Sequence, residues 1–158
     1  MNLNVYELGV DGFSTHTELK APITVGDADL HLYCVRPHLY KHLAPAGSLY
    51  IQIQDVAGKK IKNSESIAIS SITAVSGNYY HGYIRFLIDL TLKKNTAYNI
   101  SLRSSGYTYS TSAFIGWCNA FDLLKNATDY TSPPPTGYTA PYDLELWVRR
   151  QINKGVYP

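Results

Sequence analysis

The hydrophobic positions along this chain repeat mostly with a period of two. Residues 48–54 alternate cleanly, with Leu49, Ile51 and Ile53 on one side and Tyr50, Gln52 and Gln54 on the other, the pattern of a half-buried strand. Residues 98–102 do the same, Tyr98, Ile100 and Leu102 alternating against Asn99 and Ser101. Residues 2–8 form a weaker strand, and residues 29–35 (Leu30, Leu32, Tyr33, Cys34, Val35) a denser, more buried one. Residues 83–90 are the strongest core segment, and residues 113–118 and 143–148 complete the set. The stretch Asp55-Val-Ala-Gly58 predicts a hairpin turn that returns along residues 59–62. Ile67, Ile69 and Ile72 mark a further short strand.

Helical periodicity is confined to residues 71–76 and 120–126, a turn or two each. Eight or nine short strands separated by turn signals predict an all-β, jelly-roll-like sandwich of two sheets with minimal helix. The whole chain reads as one domain, with residues 1–28 as an N-terminal arm and 149–158 as a basic tail. Residues 128–141 carry Pro133, Pro134 and Pro135, which cannot join a central ladder, so a surface loop or polyproline excursion is expected there. Phe86, Ile88, Ile100, Leu102, Trp117 and Leu146 are the predicted core, and Trp147 also reads as a strand core residue.

Composition sharpens this picture. Charged residues make up 16% of the chain, below the usual quarter or so, while there are 14 tyrosines. Tyrosine favours strands and positions that are apolar on one side and wet on the other. The net charge of +2 gives no argument for nucleic acid or a lipid surface. Its distribution is uneven: Glu7, Asp11, Glu18, Asp27 and Asp29 face only Lys20 in the first 31 residues, whereas Arg149, Arg150 and Lys154 have no acid beside them. Opposite ends suit contacts between neighbouring subunits or with a scaffold, and a solvated surface accounts for them as well. The N-terminus lacks the basic and apolar regions of a signal peptide, and no apolar run reaches membrane-spanning length. Cys34 and Cys118 read as reduced core thiols, and the sequons at Asn99 and Asn126 carry no weight unless the chain is secreted, which nothing in the sequence suggests.

Catalytic chemistry requires a nucleophile with its base, paired carboxylates or a metal, and no such motif stands out. His38 and His42, spaced i, i+4 between Pro37 and Pro45, lack a third ligand at matching spacing, so loop histidines bonded to backbone or water are expected. Asp27 and Asp29 offer calcium two carboxylates where six or more oxygens are wanted, and turn chemistry after Gly26 is the stronger reading. No catalytic residue, cofactor or metal is predicted. The interface or glycan-contact candidates are Tyr79, Tyr80, Tyr107, Tyr109, Tyr130, Tyr138 and Tyr142, with Arg149 and Arg150 at the basic end. Tyrosines in Ser/Thr-rich loops suit a subunit interface, and they also suit the apolar faces of sugar rings.

The run Tyr79-Tyr-His-Gly-Tyr-Ile-Arg-Phe86, together with Asn95-Thr-Ala-Tyr-Asn-Ile-Ser-Leu102, Ser104-Ser-Gly-Tyr-Thr-Tyr-Ser110, Phe114-Ile-Gly-Trp117 and Pro141-Tyr-Asp-Leu-Glu-Leu-Trp147, resembles a carbohydrate-binding-module-like jelly roll of tailed-bacteriophage structural proteins, among them head decoration proteins and fibres. The resemblance spans about residues 48–148 and rests on strands that frame the fold. It implies a non-enzymatic protein on the virion surface that docks on the major capsid protein and stabilises the shell as a homo-oligomer, a trimer being favoured. It transfers no catalytic residue. The lack of a long stalk helix suits a compact decoration or cement protein better than a fibre. The alternative it leaves open is a glycan-binding module or fibre domain that attaches a particle to cell-surface polysaccharide.

Overall fold

A computed structural model describes residues 5–7, 18–73, 79–107, 114–118, 136–138 and 144–149. They form two antiparallel sheets packed face to face, built from β1 (Val5–Glu7), β2 (Glu18–Val25), β3 (Leu30–His42), β4 (Ser48–Gln54), β5 (Lys60–Asn63), β6 (Ile67–Ala68), β7 (Tyr79–Tyr83), β8 (Phe86–Leu92), β9 (Ala97–Ser105), β10 (Phe114–Cys118), β11 (Thr136–Tyr138) and β12 (Leu144–Arg149). A 3-10 turn, Ile69–Ser71, follows β6. The two-sheet β-sandwich expected from the alternation is therefore present. Its strands outnumber the eight or nine expected because several are only two to four residues long.

The long strand β3 organises the first sheet. One edge of β3 pairs with β7 through residues 38–42 and with β8 through residues 30–35, and the other edge pairs with β10 and β12. β1 extends this sheet beyond β10. The segment read as one strand over residues 83–90 is thus two strands interrupted at Ile84 and Arg85. Pro37 explains the interruption. Its carbonyl accepts from Ile84 N–H at 3.1 Å, but proline has no N–H to return the second bond of the pair.

β3 also runs seven residues beyond its expected end at Val35, so His38 and His42 are strand residues and not loop histidines. Both ladders shift register between Leu32 and Cys34, at Tyr33. Such a bulge changes which side chains face inward by one position. Accordingly Leu30 and Leu32 point into the core before it, and Val35, Leu39 and Lys41 after it. Cys34, beside the bulge, is fully buried, as expected of a core thiol.

The second sheet runs β11-β2-β9-β4-β5, with β6 also pairing β4. β2 was not anticipated, because Pro22 interrupts an otherwise regular Leu19, Ala21, Ile23, Val25 alternation. It lies within the stretch read as an N-terminal arm and pairs with β9 along its length. Val25 N–H donates to Thr96 O, so the odd-numbered amides face β9. The missing N–H of Pro22 falls on the other edge, past the point where β11 ends opposite Ile23. β11 in turn places a short edge strand inside the stretch expected to be a loop.

The inner faces meet in one core that contains Phe86, Ile88, Ile100, Leu102 and Trp117, as predicted, with Leu19, Ile23, Leu32, Leu39, Ile51 and Ile53. The side chains of Leu146 and Trp147 lie outside the described residues. The Asp55–Gly58 turn forms as expected: Asp55 Oδ1 accepts from Ala57 and Lys59 N–H, and Gly58 adopts the φ of +85° that a side chain would strain. Of residues 71–76, the end of the 3-10 turn is described at Ser71 and an extended residue follows at Ile72. Residues 120–126 lie outside the described residues.

Candidate functional site

The period of two that buries Leu49, Ile51 and Ile53 turns Tyr50, Gln52 and Gln54 to the outer face of the second sheet. Register aligns them with the outward residues of neighbouring strands. Glu18, Arg103 and Tyr50 form one row across β2, β9 and β4, and Lys20, Ser101, Gln52 and Asn63 form the next, ending on β5.

Glu18 is the hub of this face. Its Oε2 accepts from Ser101 Oγ at 2.5 Å, Arg103 Nη1 at 2.9 Å and Gln54 Nε2 at 3.0 Å, while Lys20 Nζ stands 2.9 Å from Oε1. Gln54 Nε2 also donates to Gln52 Oε1 at 2.8 Å, and Gln52 Nε2 donates to Asn63 Oδ1 at 2.9 Å. Burial pulls the Glu18 carboxyl upward. The hydrogen bonds from Ser101, Lys20 and Gln54 and the Lys20 charge outweigh it, so the group sits below its ordinary range.

Outward positions of a two-layer sandwich normally meet water. Here Ser101, Gln54 and Gln52 are 0%, 1% and 8% exposed, so the bonded groups fix one another's rotamers. Gln54 Oε1 is the exception, a buried acceptor with no donor. Exchanging the amide's oxygen and nitrogen would not help, because both partners of Nε2 are acceptors. Oε1 lies toward the Gly58 turn, 4.0 Å from the point where a side chain at Gly58 would begin.

The outer face of the first sheet has a different character. Arg36, His38, Tyr40 and His42 alternate along β3 and are all half-buried. His38 stacks on Tyr83 with ring centroids 4.8 Å apart, and the Arg36 guanidinium lies 5.8 Å from the same ring. In a strand, residues i and i+4 are about 13 Å apart, so His38 and His42 cannot share one metal ion. No group of three or more His, Cys, Asp or Glu side chains converges among the described residues. Asp29 serves the turns at one end of the sandwich, where its carboxylate accepts from Lys94 N–H at 2.9 Å and Lys93 Nζ at 3.0 Å. These bonds hold its carboxyl below the usual value. Asp27 is exposed in the same turn.

The tyrosine candidates are dispersed. Tyr107 is half-buried and packs against the core, and its hydroxyl accepts from Ile115 N–H at 3.0 Å, so it serves the sandwich itself. Tyr79 and Tyr80 lie in β7, Tyr138 in edge strand β11 and Arg149 at the end of β12. Tyr109, Tyr130, Tyr142 and Arg150 lie outside the described residues. The polar set on the second sheet was not singled out from the sequence. The outward parity of Gln52 and Gln54 was visible within β4, but Glu18 and Arg103 are 85 residues apart and meet only through sheet order. No protein-family model matches the chain, and no curated protein is similar to it.

Proposed function

We propose that this protein is a non-enzymatic domain of a bacteriophage virion surface that docks on the major capsid protein and stabilises the shell. The observation that carries the reading is where the phage-like segments fall. Residues 79–86, 95–102 and 114–117 supply β7 and the start of β8, most of β9, and β10, and residues 141–147 enter β12. Those strands frame both sheets, so the resemblance bears on the sandwich as a whole and not on one loop. The half-buried tyrosines Tyr40 and Tyr50 on the outer faces of the sandwich support the reading further, because tyrosine suits contacts with neighbouring subunits.

Co-sedimentation of the purified protein with undecorated capsids of the encoding phage tests the proposal. Saturable binding at physiological salt is the expected result. Absence of the protein from the capsid pellet at micromolar concentration refutes it.

A further inference from the structure

The β4–β5 hairpin carries exposed side chains that the sandwich does not use. Three large hydrophobic residues are exposed among the described residues, and two of them, Val56 at 72% and Ile61 at 44%, lie on this hairpin. Turns favour glycine, proline, asparagine, aspartate and serine, so a β-branched valine at position 56 answers no need of the turn. Ile61 is the extra residue of a β-bulge: Lys62 pairs with Ile53 and Lys60 with Gln54, which leaves Ile61 between them outside the register.

The tip is held in place. Gly58 N–H donates to Asp55 O at 3.0 Å, Asp55 N–H donates to Lys59 O at 3.0 Å, and Asp55 Oδ1 accepts from the amides of Ala57 and Lys59. Asn99 Nδ2 ties the same Asp55 carbonyl to β9 at 3.2 Å. A side chain displayed on a fixed turn loses less freedom on binding than one on a loose loop.

Charge sets the partner's chemistry. Residues 56–64 contain Lys59, Lys60 and Lys62 and no acid. Lys62 Nζ donates to Asp89 O at 2.7 Å, whereas Lys59 and Lys60 stand exposed beside Val56 and Ile61. Lysines and a bulge on an edge strand deter pairing with another strand, so a partner meets this hairpin through side chains and not by extending the sheet. Two apolar side chains offer too little area to hold a lipid surface, and no aromatic ring lies within residues 55–65 to stack on a base. An apolar anchor with a basic rim instead fits an acidic protein surface that has an apolar recess.

We propose that the tip of this hairpin, formed by Val56, Lys59, Lys60 and Ile61, is the element that docks on the capsid, and that its counterpart on the major capsid protein is an acidic surface around an apolar recess. Val56 enters the recess, and Lys59 and Lys60 face carboxylates at its rim. The inference rests on the capsid-docking reading above and adds to it the docking surface and the chemistry of the partner.

Co-sedimentation with undecorated capsids at low and at high salt compares the full chain with its Val56→Ser, Lys60→Glu and Lys94→Glu variants. All three positions are exposed, and melting temperatures confirm that the variants fold. Val56→Ser weakens binding about tenfold, the effect of losing one buried apolar side chain. Lys60→Glu weakens it at low salt and flattens its salt dependence, while Lys94→Glu, the same charge change in another turn, leaves binding near the parent's. A parent that never pellets with capsids overturns the docking reading and this inference with it. A parent that pellets, with Val56→Ser equal to it or Lys60→Glu no weaker than Lys94→Glu, overturns the hairpin assignment alone. Val56-dependent flotation on phosphatidylserine vesicles, with capsid binding intact in Val56→Ser, assigns the tip to a lipid surface and also overturns it.

Discussion

Replacing Phe86 by alanine tests the packing argument at its most constrained point. Phe86 opens β8 opposite Val35, one residue past the break that Pro37 imposes, and both side chains are fully buried. The surrounding sheet is held by β3 on one side and by the inner face of the second sheet above, so it cannot collapse far into the space a lost ring leaves. Removing a buried phenyl group then costs its transfer free energy plus a cavity penalty, about 3–5 kcal/mol together. For a domain of this size each kcal/mol lowers the melting temperature by about 2–4 °C, so the variant should melt roughly 6–20 °C below the parent. Phe86→Leu, which keeps most of the volume, should lose less than about 2 kcal/mol. Calorimetric melts and urea titrations of the three proteins supply the comparison. An alanine variant melting within about 2 °C of the parent would show that Phe86 is not a core residue and that the inward face of β8 is wrongly assigned.

Three other outcomes follow from particular contacts. Lys41 points inward from β3 and donates to Ile69 O at 3.2 Å and Ile72 O at 2.6 Å, so Lys41→Met strands a buried carbonyl. It should lower the urea-derived stability by about 1–3 kcal/mol, and an equal or higher stability would refute this role. Glu18 titrates below its ordinary value of 4.5 when folded, so its contribution is present above that pH and is lost as pH falls through the lower folded value. The stability difference between the parent and Glu18→Gln should therefore shrink in acid titrations below about pH 4.5, and a difference independent of pH would contradict the network. Gly47 has φ +106°, and a Cβ there would stand 2.7 Å from the backbone of Ser105, Gly106 and Tyr107. Gly47→Ala should cost roughly 3 kcal/mol or more, whereas Gly106→Ala, with φ +65° and a Cβ that would meet Gly47 Cα at an ordinary 3.8 Å, should cost only about 1–2 kcal/mol; equal effects in denaturant would refute the close approach.

The elements legible in the sequence are those whose geometry is local. β4 and β9 announced themselves by alternation, and the Asp55–Gly58 turn by its residue types, because each depends only on neighbours along the chain. The errors arise where tertiary context overrides a local signal. Pro37 and Pro45 read as brackets of a loop, yet β3 passes through Pro37 at the cost of one rung in the β7–β8 ladder. Pro22 hid β2 in the same way, although its missing donor faces an edge that β11 does not reach. The polar face was half legible: the sequence showed that Gln52 and Gln54 point away from the core, but not that strand order would set Glu18, Ser101 and Arg103 beside them. Tyr107 shows the converse. A loop tyrosine in a Ser/Thr-rich segment, read from the sequence only as a contact candidate, also packs its ring against the core and accepts from Ile115 N–H.

Whether this sandwich stabilises a shell by docking on it is tested most directly by the melting of the shell itself. Scanning calorimetry of undecorated capsids, alone and with saturating protein, should show the capsid transition move to higher temperature as bound protein accumulates. A capsid transition unmoved at saturation would contradict the claim.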